Sequence, residues 1–254
     1  MTAPAYARHS MDEDFGPLIF RRLWCGRKLK PEDVEALSHL HWVPQSIAAK
    51  STFNPGTNLC ILASGLAVRQ RAEGPGVRQM TAVVLPGDTC SYEFVTGSAP
   101  TTVLRALTDC KAMQASLEDV VSLVEQRPAI LQALLSHLAV DHAVTEELVT
   151  SISTRSALER TAHFLCELEF RLRRMGLANN GQFSLSMTQA EIGVYLGLSA
   201  VHVNRTLQEL RKRGALSTRG NRLTLDLEQM RSIAGFVPDY LTEATADAPR
   251  RFDA

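Results

Sequence analysis

The sequence predicts an α+β chain of two units joined by a long helix, and three observations carry that prediction. Short apolar runs broken by Gly, Pro, Asn and Asp fill residues 43–116, the texture of strands and turns. From Leu117 to Met175 the apolar period becomes helical. Met187–Arg213 then reads as two short helices around a tight turn, followed at once by a hairpin signal.

The whole chain bounds what it can be. A length of 254 residues suggests about two domains, and a hydrophobic fraction of 45% supplies a sizeable core. With 27 Lys and Arg against 27 Asp and Glu, the net charge is zero, so binding to a polyanion must rest on uneven charge distribution. No apolar run approaches the ~20 residues of a membrane span. The first residues carry acids and no apolar core of a signal peptide. The five cysteines, Cys25, Cys60, Cys90, Cys110 and Cys166, are odd in number and lack a C-x-x-C pair. Reduced thiols, a cytoplasmic location and no membrane partner are expected.

Taken in order, residues 1–15 read as a loose tail and Asp14–Leu40 as helical. Phe20, Leu23 and Trp24 mark an apolar face, and Pro31 suits a helix start, where its missing N–H is not needed. His39 and His41 diverge on a helix, so they are expected to be structural or exposed rather than a metal pair. Strands are expected at Leu59–Ala63, Leu66–Arg69, Val77–Leu85 and Thr102–Leu107. Turns fall at 54–56, 64–65, 73–76, at Pro86-Gly87-Asp88 and at 97–100. That regular spacing implies an antiparallel sandwich or barrel.

Pro128 opens a long helix that runs to about Ile152. Leu131, Leu138, Thr145 and Ile152 recur every seven residues, and Leu134 and Leu148 lie three on from the first and third. Asp141 breaks the second series. This imperfect heptad seam is expected to serve a dimer helix, the plainer reading being one face of an intramolecular bundle. In the next helix, Arg155–Met175, residues Leu158, Ala162, Leu165, Cys166, Leu168 and Glu169 are expected to face inward. Residues 176–186 read as a loop, 227–237 as a last helix, and 241–254 as a polar tail.

Within Met187–Arg213, Thr188 can cap the first helix while Glu191 reaches back to the cap's own N–H. Gly197 allows a sharp exit, and Ser199 caps the second helix. Val203, Leu207 and Leu210 fall on its inner face, which leaves Ala200, Val201, Asn204, Arg205 and Gln208 outside. Asn, Arg and Gln on an apolar-backed helix match the donor and acceptor edges of bases in a DNA major groove. The hairpin runs through Arg219-Gly220-Asn221-Arg222. Over residues 187–225 there are six basic side chains and two acidic ones, a local charge of +4. Such a patch on a neutral protein suits phosphates. Expected DNA contacts are therefore Thr188, Gln189, Ser199, Ala200, Val201, His202, Asn204, Arg205, Gln208, Arg211, Arg219 and Arg222. An ordinary helical hairpin with a solvated basic turn is the alternative.

In this order the units resemble the CRP/FNR superfamily of bacterial transcription regulators. TFNPGTNLCILASGLAVRQ followed by MTAVVLPGD looks like that family's β-roll, and MTQAEIGVYLGLSAVHVNRTLQELRKRGAL like its helix–turn–helix, with Arg205–Leu207 as the R-x-L element and Gly214 as the exit. The resemblance covers about residues 20–237. It implies an N-terminal antiparallel β-roll (a double-stranded β-helix) over 16–127, a dimerisation helix over 128–153 and a C-terminal winged helix–turn–helix over 154–240. The implied protein is a sequence-specific transcription regulator, not an enzyme, whose partners are double-stranded DNA, a second copy of itself and RNA polymerase. The family's recognition helix usually carries an Arg just after the cap, a Glu next, and an Arg four further on. Here these are Ala200, Val201 and Arg205. Arg205 is expected to read a guanine, while Val201 would meet a thymine methyl in place of a cytosine.

The effector is less legible. Cyclic-nucleotide binders of the family use a Gly-Glu for the ribose and an Arg-Ser or Arg-Thr for the phosphate. Here Glu93 follows Tyr92, and Pro100-Thr101 occupies the Arg-Ser region. No basic residue stands between Arg78 and Arg105, so cyclic AMP is not expected. Only Cys25 precedes Cys60, which argues against the iron–sulfur cluster of the FNR branch. No His lies between His41 and His137, which argues against haem in the β-roll and against the main rival, a metal-dependent cupin-like enzyme or metabolite binder with a degenerate helix–turn–helix. No cofactor and no metal site are expected, and no catalytic residue is assigned. Tyr92, Glu93, Thr101 and Thr102 remain as the candidate effector pocket.

Overall fold

The structure, a computed structural model, describes residues 29–72, 78–90, 92 and 102–242. The tail at 1–15, the helical reading of residues 14–28 with Cys25, the turns at 73–76 and 97–100, Glu93, Thr101 and residues 243–254 lie outside the described residues.

Helix α1 (Pro31–Ser38) begins at the expected proline, and the Asp33 carboxylate accepts the Lys30 N–H at 3.0 Å. Seven strands follow among the described residues: β1 (Val43–Ile47), β2 (Thr52–Phe53), β3 (Leu59–Ser64), β4 (Ala67–Ala72), β5 (Arg78–Val84), β6 (Thr102–Ala106) and β7 (Cys110–Ala115). They form two antiparallel sheets, ordered β1-β7-β3 and β2-β6-β4-β5. Strand β3 reads as a continuous apolar run because both its faces are covered. Cys60 and Leu62 join Ile47, Phe53, Ala67, Val84 and Leu104 between the sheets, while Leu59 and Ile61 pack under the helices.

Ser116 caps α2 (Leu117–Gln126), and α3 (Pro128–Thr154) starts on Pro128. Helix α3 buries Ile130, Ala133, His137, Asp141, Val144 and Ser151 against the rest of the protomer. That face fixes its rotation and re-phases the expected seam. Leu134 and Leu148 pack on the intramolecular cores rather than on an outer ridge. The outer stripe is Leu131, Leu135, Leu138, His142, Thr145, Val149 and Ile152, a regular 4-3 spacing in which Leu135 and Val149 are 53% and 62% exposed.

Helix α4 (Ala157–Arg174) opens with a Ser156–Glu159 capping box. A one-sided inner face was expected, yet every residue from Thr161 to Leu172 is buried, because α4 is enclosed on all sides. One apolar cluster joins α4 to Leu66, Val68, Met80, Val83 and Leu85 of the sheets. The core therefore runs through the expected boundary at 153–154. Beyond α4 come β8 (Gln182–Ser184), α5 (Gln189–Leu196), α6 (Ala200–Lys212), β9 (Leu216–Arg219), β10 (Arg222–Leu225), α7 (Leu227–Ala234) and a 3-10 turn at Pro238–Leu241. The loop reading of 176–186 is corrected by β8, which pairs with β10 and makes the hairpin a three-stranded sheet. The tail reading is corrected at Leu241, which is only 1% exposed.

Candidate nucleic-acid interface

The reading motif is built by local chemistry. Thr188 Oγ1 accepts the Glu191 N–H at 3.1 Å, and Glu191 Oε2 accepts the Thr188 N–H at 2.8 Å, so the capping box closes in both directions. Helix α5 ends on Gly197, whose φ of +65° belongs to the left-handed region that favours glycine. Gly193 is a second constrained position that sequence reasoning missed. A Cβ there would meet the Leu198 carbonyl oxygen at 2.4 Å, so the turn can close only over glycine. A Gly four residues before the exit Gly was the available signal.

Ser199 Oγ accepts the His202 N–H at 3.2 Å and starts α6, and it also lies 3.1 Å from His202 Nδ1. Val203, Leu207 and Leu210 are buried beneath α6. Thr206 joins them, 3.1 Å from Thr161 on α4 through their hydroxyls, so the reading helix is keyed to α4 by a buried polar contact. Above, Ala200, Val201, His202, Asn204, Arg205 and Gln208 are exposed, with Val201 at 71%. Thr188, Gln189, Ser199, Arg211, Arg219 and Arg222 are exposed too. The structure thus brings all twelve expected residues to the surface of one motif, on α5, α6 and the β9–β10 hairpin.

The charges on this motif are not equivalent. Arg213 pairs with Glu209 at 2.8 Å, and Arg105 of β6 pairs with Glu191 at 3.5 Å, so both acids are engaged. Arg211 Nε donates to Thr218 Oγ1 at 3.2 Å and ties α6 to the hairpin. The side chains of Arg205, Arg219 and Arg222 make no hydrogen bond or ion pair among the described residues. Three guanidinium groups held out without internal partners form a surface that favours an external polyanion.

Of the expected effector pocket, Tyr92 and Thr102 lie among the described residues. Tyr92 and Thr102 are half-buried, and Thr102 stands opposite Arg71 at the start of β6. The charge that faces α3 is instead Arg69 of β4, which sequence reasoning missed. Its Nη2 lies 2.6 Å from Asp141 Oδ2, and the Tyr92 ring covers the guanidinium at 5.5 Å. Burial works against the Arg69 charge, and Asp141 with Tyr92 more than offsets it, so its pKa is raised. Beside Tyr92, an apolar cavity of about 180 Å³ opens between α2 and α3, edged by Val120, Val124, Leu131 and Leu135.

His163, Cys166 and Glu167, neighbours along α4, are each buried within the protein and form no metal-holding group among the described residues. His163 stacks on Tyr240, and burial, with the nearby Arg155 charge, lowers its pKa to about 4. Glu147, 3.2 Å from His163 Nε2, is already paired with Arg155. Glu167 turns to Arg171 and accepts the Tyr240 hydroxyl at 3.0 Å. Burial pushes the Cys166 thiol up to about 12. Cys60, Cys90, Cys110 and Cys166 are all free and buried.

Comparisons agree with this geometry. Residues 159–233 match the Crp-like helix-turn-helix domain family. The chain is 29% identical over 161 residues to the fumarate and nitrate reduction regulatory protein of Vibrio cholerae, which is 63% of this chain and 64% of that protein. It is 26% identical over 173 residues to the anaerobic regulatory protein of Pasteurella multocida, 68% of this chain and 63% of that protein. These matches span just under two thirds of the relatives' lengths. Among solved structures, FixK2 from Bradyrhizobium japonicum aligns with a TM-score of 0.68 at 22% identity, over 82% of this chain and all of that one. A CooA mutant from Carboxydothermus hydrogenoformans aligns at 0.60 and 20% identity, over 76% of this chain and 88% of that one. The matched Crp-like helix-turn-helix domain lies over α4 to α7, and the order of antiparallel sheets, long helix and winged motif is the fold this chain shares with those solved structures.

Proposed function

We propose that this protein is a sequence-specific DNA-binding transcription regulator that acts as a homodimer on a two-fold symmetric site. The observation that carries this is the outer face of α6, where Asn204, Arg205 and Gln208 stand exposed on a buried apolar back while Arg205, Arg219 and Arg222 keep their charges free of internal partners. Arg205 reads a guanine through O6 and N7, worth about 1–3 kcal/mol of discrimination, and Val201 contacts a thymine methyl beside it. The hairpin arginines hold phosphates and fix register. The relatives are themselves named regulatory proteins, which supports a regulator rather than an enzyme. The rival reading, a metabolite-binding or cupin-like β-roll, leaves the free arginines without a role.

The second copy docks on the 4-3 stripe of α3. Leu131, Leu135, Val149 and Ile152 are 43%, 53%, 62% and 37% exposed there, on a helix whose other apolar face is already used. RNA polymerase is the further partner of this reading. Cyclic AMP, an iron–sulfur cluster and haem have no part in it. Arg69, the arginine turned towards α3, is neutralised by Asp141 and offers no charge to a cyclic phosphate.

Selection of bound DNA from a random pool with the purified full-length protein tests the reading. A palindromic consensus with a guanine lost as a requirement in Arg205→Ala is expected, with affinity falling steeply as salt rises. Recovery of no enriched sequence would overturn it. Leu135→Glu and Val149→Glu should convert the dimer to a monomer by light scattering, and a dimer that survives both would place the interface elsewhere.

A further inference from the structure

Besides the Arg105–Glu191 and Gln79–Val194 contacts that join the sheet to α5, two arginines tie the reading unit to the rest of the protomer at separate points on α4. Near its start, the Arg160 guanidinium donates to the Ser151 and Ile152 carbonyls at the end of α3, at 3.1 and 2.8 Å, and to the Leu196 carbonyl at the end of α5, at 2.8 Å. One side chain thus caps two helices and makes a pivot. Some eleven residues on, at the far end of α4, Arg171 forms the second point. Its guanidinium reaches Asp88 Oδ2 at 2.6 Å, the Val83 carbonyl at 2.9 Å and Glu167 Oε1 at 3.1 Å. The Arg171 and Asp88 side chains are 3% and 4% exposed. Asp88 is itself held, because its carboxylate also accepts the Leu85 N–H at 2.8 Å within the Pro86-Gly87-Asp88 turn. An ion pair this deeply buried is directional and is lost sharply when one partner goes.

We propose that the Arg171–Asp88 contact fixes the orientation of the reading helix relative to the dimer helix, and so sets the spacing between the two half-sites that the dimer accepts. Arg171 acts as a positioning residue, far from the DNA. The inference rests on the dimeric DNA-reading function proposed above. Helix α6 is keyed to α4 through Thr161 and Thr206, so the two turn together. With Arg171 released, the unit keeps the Arg160 pivot, its apolar packing and two contacts nearer the surface, the Arg105–Glu191 pair and the Gln79 Nε2 hydrogen bond to the Val194 carbonyl at 3.3 Å. The 13 residues of α6 span about 20 Å at 1.5 Å each. A rotation of about 10° moves one end by roughly 3.5 Å, close to the ~3.4 Å rise of one base pair. Apolar packing resists such a slide weakly because it is non-directional, and the solvent-accessible Arg105–Glu191 and Gln79–Val194 contacts add little to it.

Fluorescence anisotropy with three duplexes tests this. They carry the selected site, the same half-sites with one base pair inserted between them, and a single half-site. The native protein should prefer the first to the second by at least about tenfold. Arg171→Met and Asp88→Asn should reduce that preference to below about threefold and leave single half-site affinity within about twofold. Arg171→Lys, which keeps the charge facing Asp88 but loses the fork to Val83 and Glu167, should fall between them. A preference of tenfold or more retained in Arg171→Met or Asp88→Asn overturns the inference. If Arg171→Met and Asp88→Asn lose their helical signal on melting, Arg171→Lys decides: native spacing preference in that folded variant also overturns it. Absence of DNA binding by the native protein would instead sink the function on which the inference rests.

Discussion

Arginine is used in two opposite ways in this molecule. On α6 and the hairpin, Arg205, Arg219 and Arg222 are exposed and have no internal partner. At the junction of the sheets, α3 and α4, Arg69 is largely and Arg171 fully buried, and each lies 2.6 Å from a carboxylate. The residue type is the same, and solvation separates the roles. A buried guanidinium loses its hydration and persists only beside acceptors, so it becomes a structural bolt. An exposed one keeps its hydration and counterions and gains when phosphates replace them. The buried pairs therefore govern stability and geometry, and in the proposed function the free ones govern affinity.

The sharpest way to break this contrast is to orphan a buried charge. Asp141→Ala leaves Arg69 without its partner and should destabilise the protein by about 3–5 kcal/mol in denaturant unfolding. A loss below about 1 kcal/mol would show that water already solvates the pair. Next comes Val201→Glu, which places a carboxylate where cytosine's amino group can donate to it. The preferred base beside the Arg205-read guanine should shift from thymine to cytosine by up to about 3 kcal/mol, with stability unchanged. An unchanged consensus would mean that Val201 does not face that base.

A pH prediction comes third. Below pH 6.5 the unfolded chain takes up a proton that folded His163 refuses until about pH 4, so stability falls as pH drops through that window. At pH 5 the loss is about 2 kcal/mol relative to pH 7.5, and His163→Phe should flatten that part of the profile. Equal pH slopes in both proteins would remove His163 from the account. Smallest is Arg219→Gln, which should weaken binding to all sequences alike and lower the salt slope by about 0.9. A sequence-dependent loss would move Arg219 from phosphate to base.

How legible each region was follows from the range of the forces that build it. The reading motif was legible because its determinants lie within four residues of one another. Thr188 with Glu191, Ser199 with the His202 amide, and Val203 with Leu207 all act locally. The seam of α3 was legible as a period and not as a phase. Leu134 and Leu135 are both leucines, and either completes a heptad with Leu131 and Leu138. Only the docking of Ile130, Ala133, His137 and Val144 on the protomer turns Leu135 outward. Strand β8 was missed because three residues carry too little propensity, and its pairing with β10 creates it. Asp141 was visible as a break in an apolar series, but its partner stands 72 residues away.

The sequence by itself determined the class, the order of the units, the caps and inner face of the helix–turn–helix, and the side chains it holds out. Each of these follows from backbone preference and short-range periodicity, which the chain carries wherever it goes. Only the tertiary structure decided which arginines are free, how α3 is rotated, and that the reading unit shares a core and a buried ion pair with the β-roll. Those outcomes depend on desolvation, which is set by what packs against a side chain and not by its neighbours in sequence.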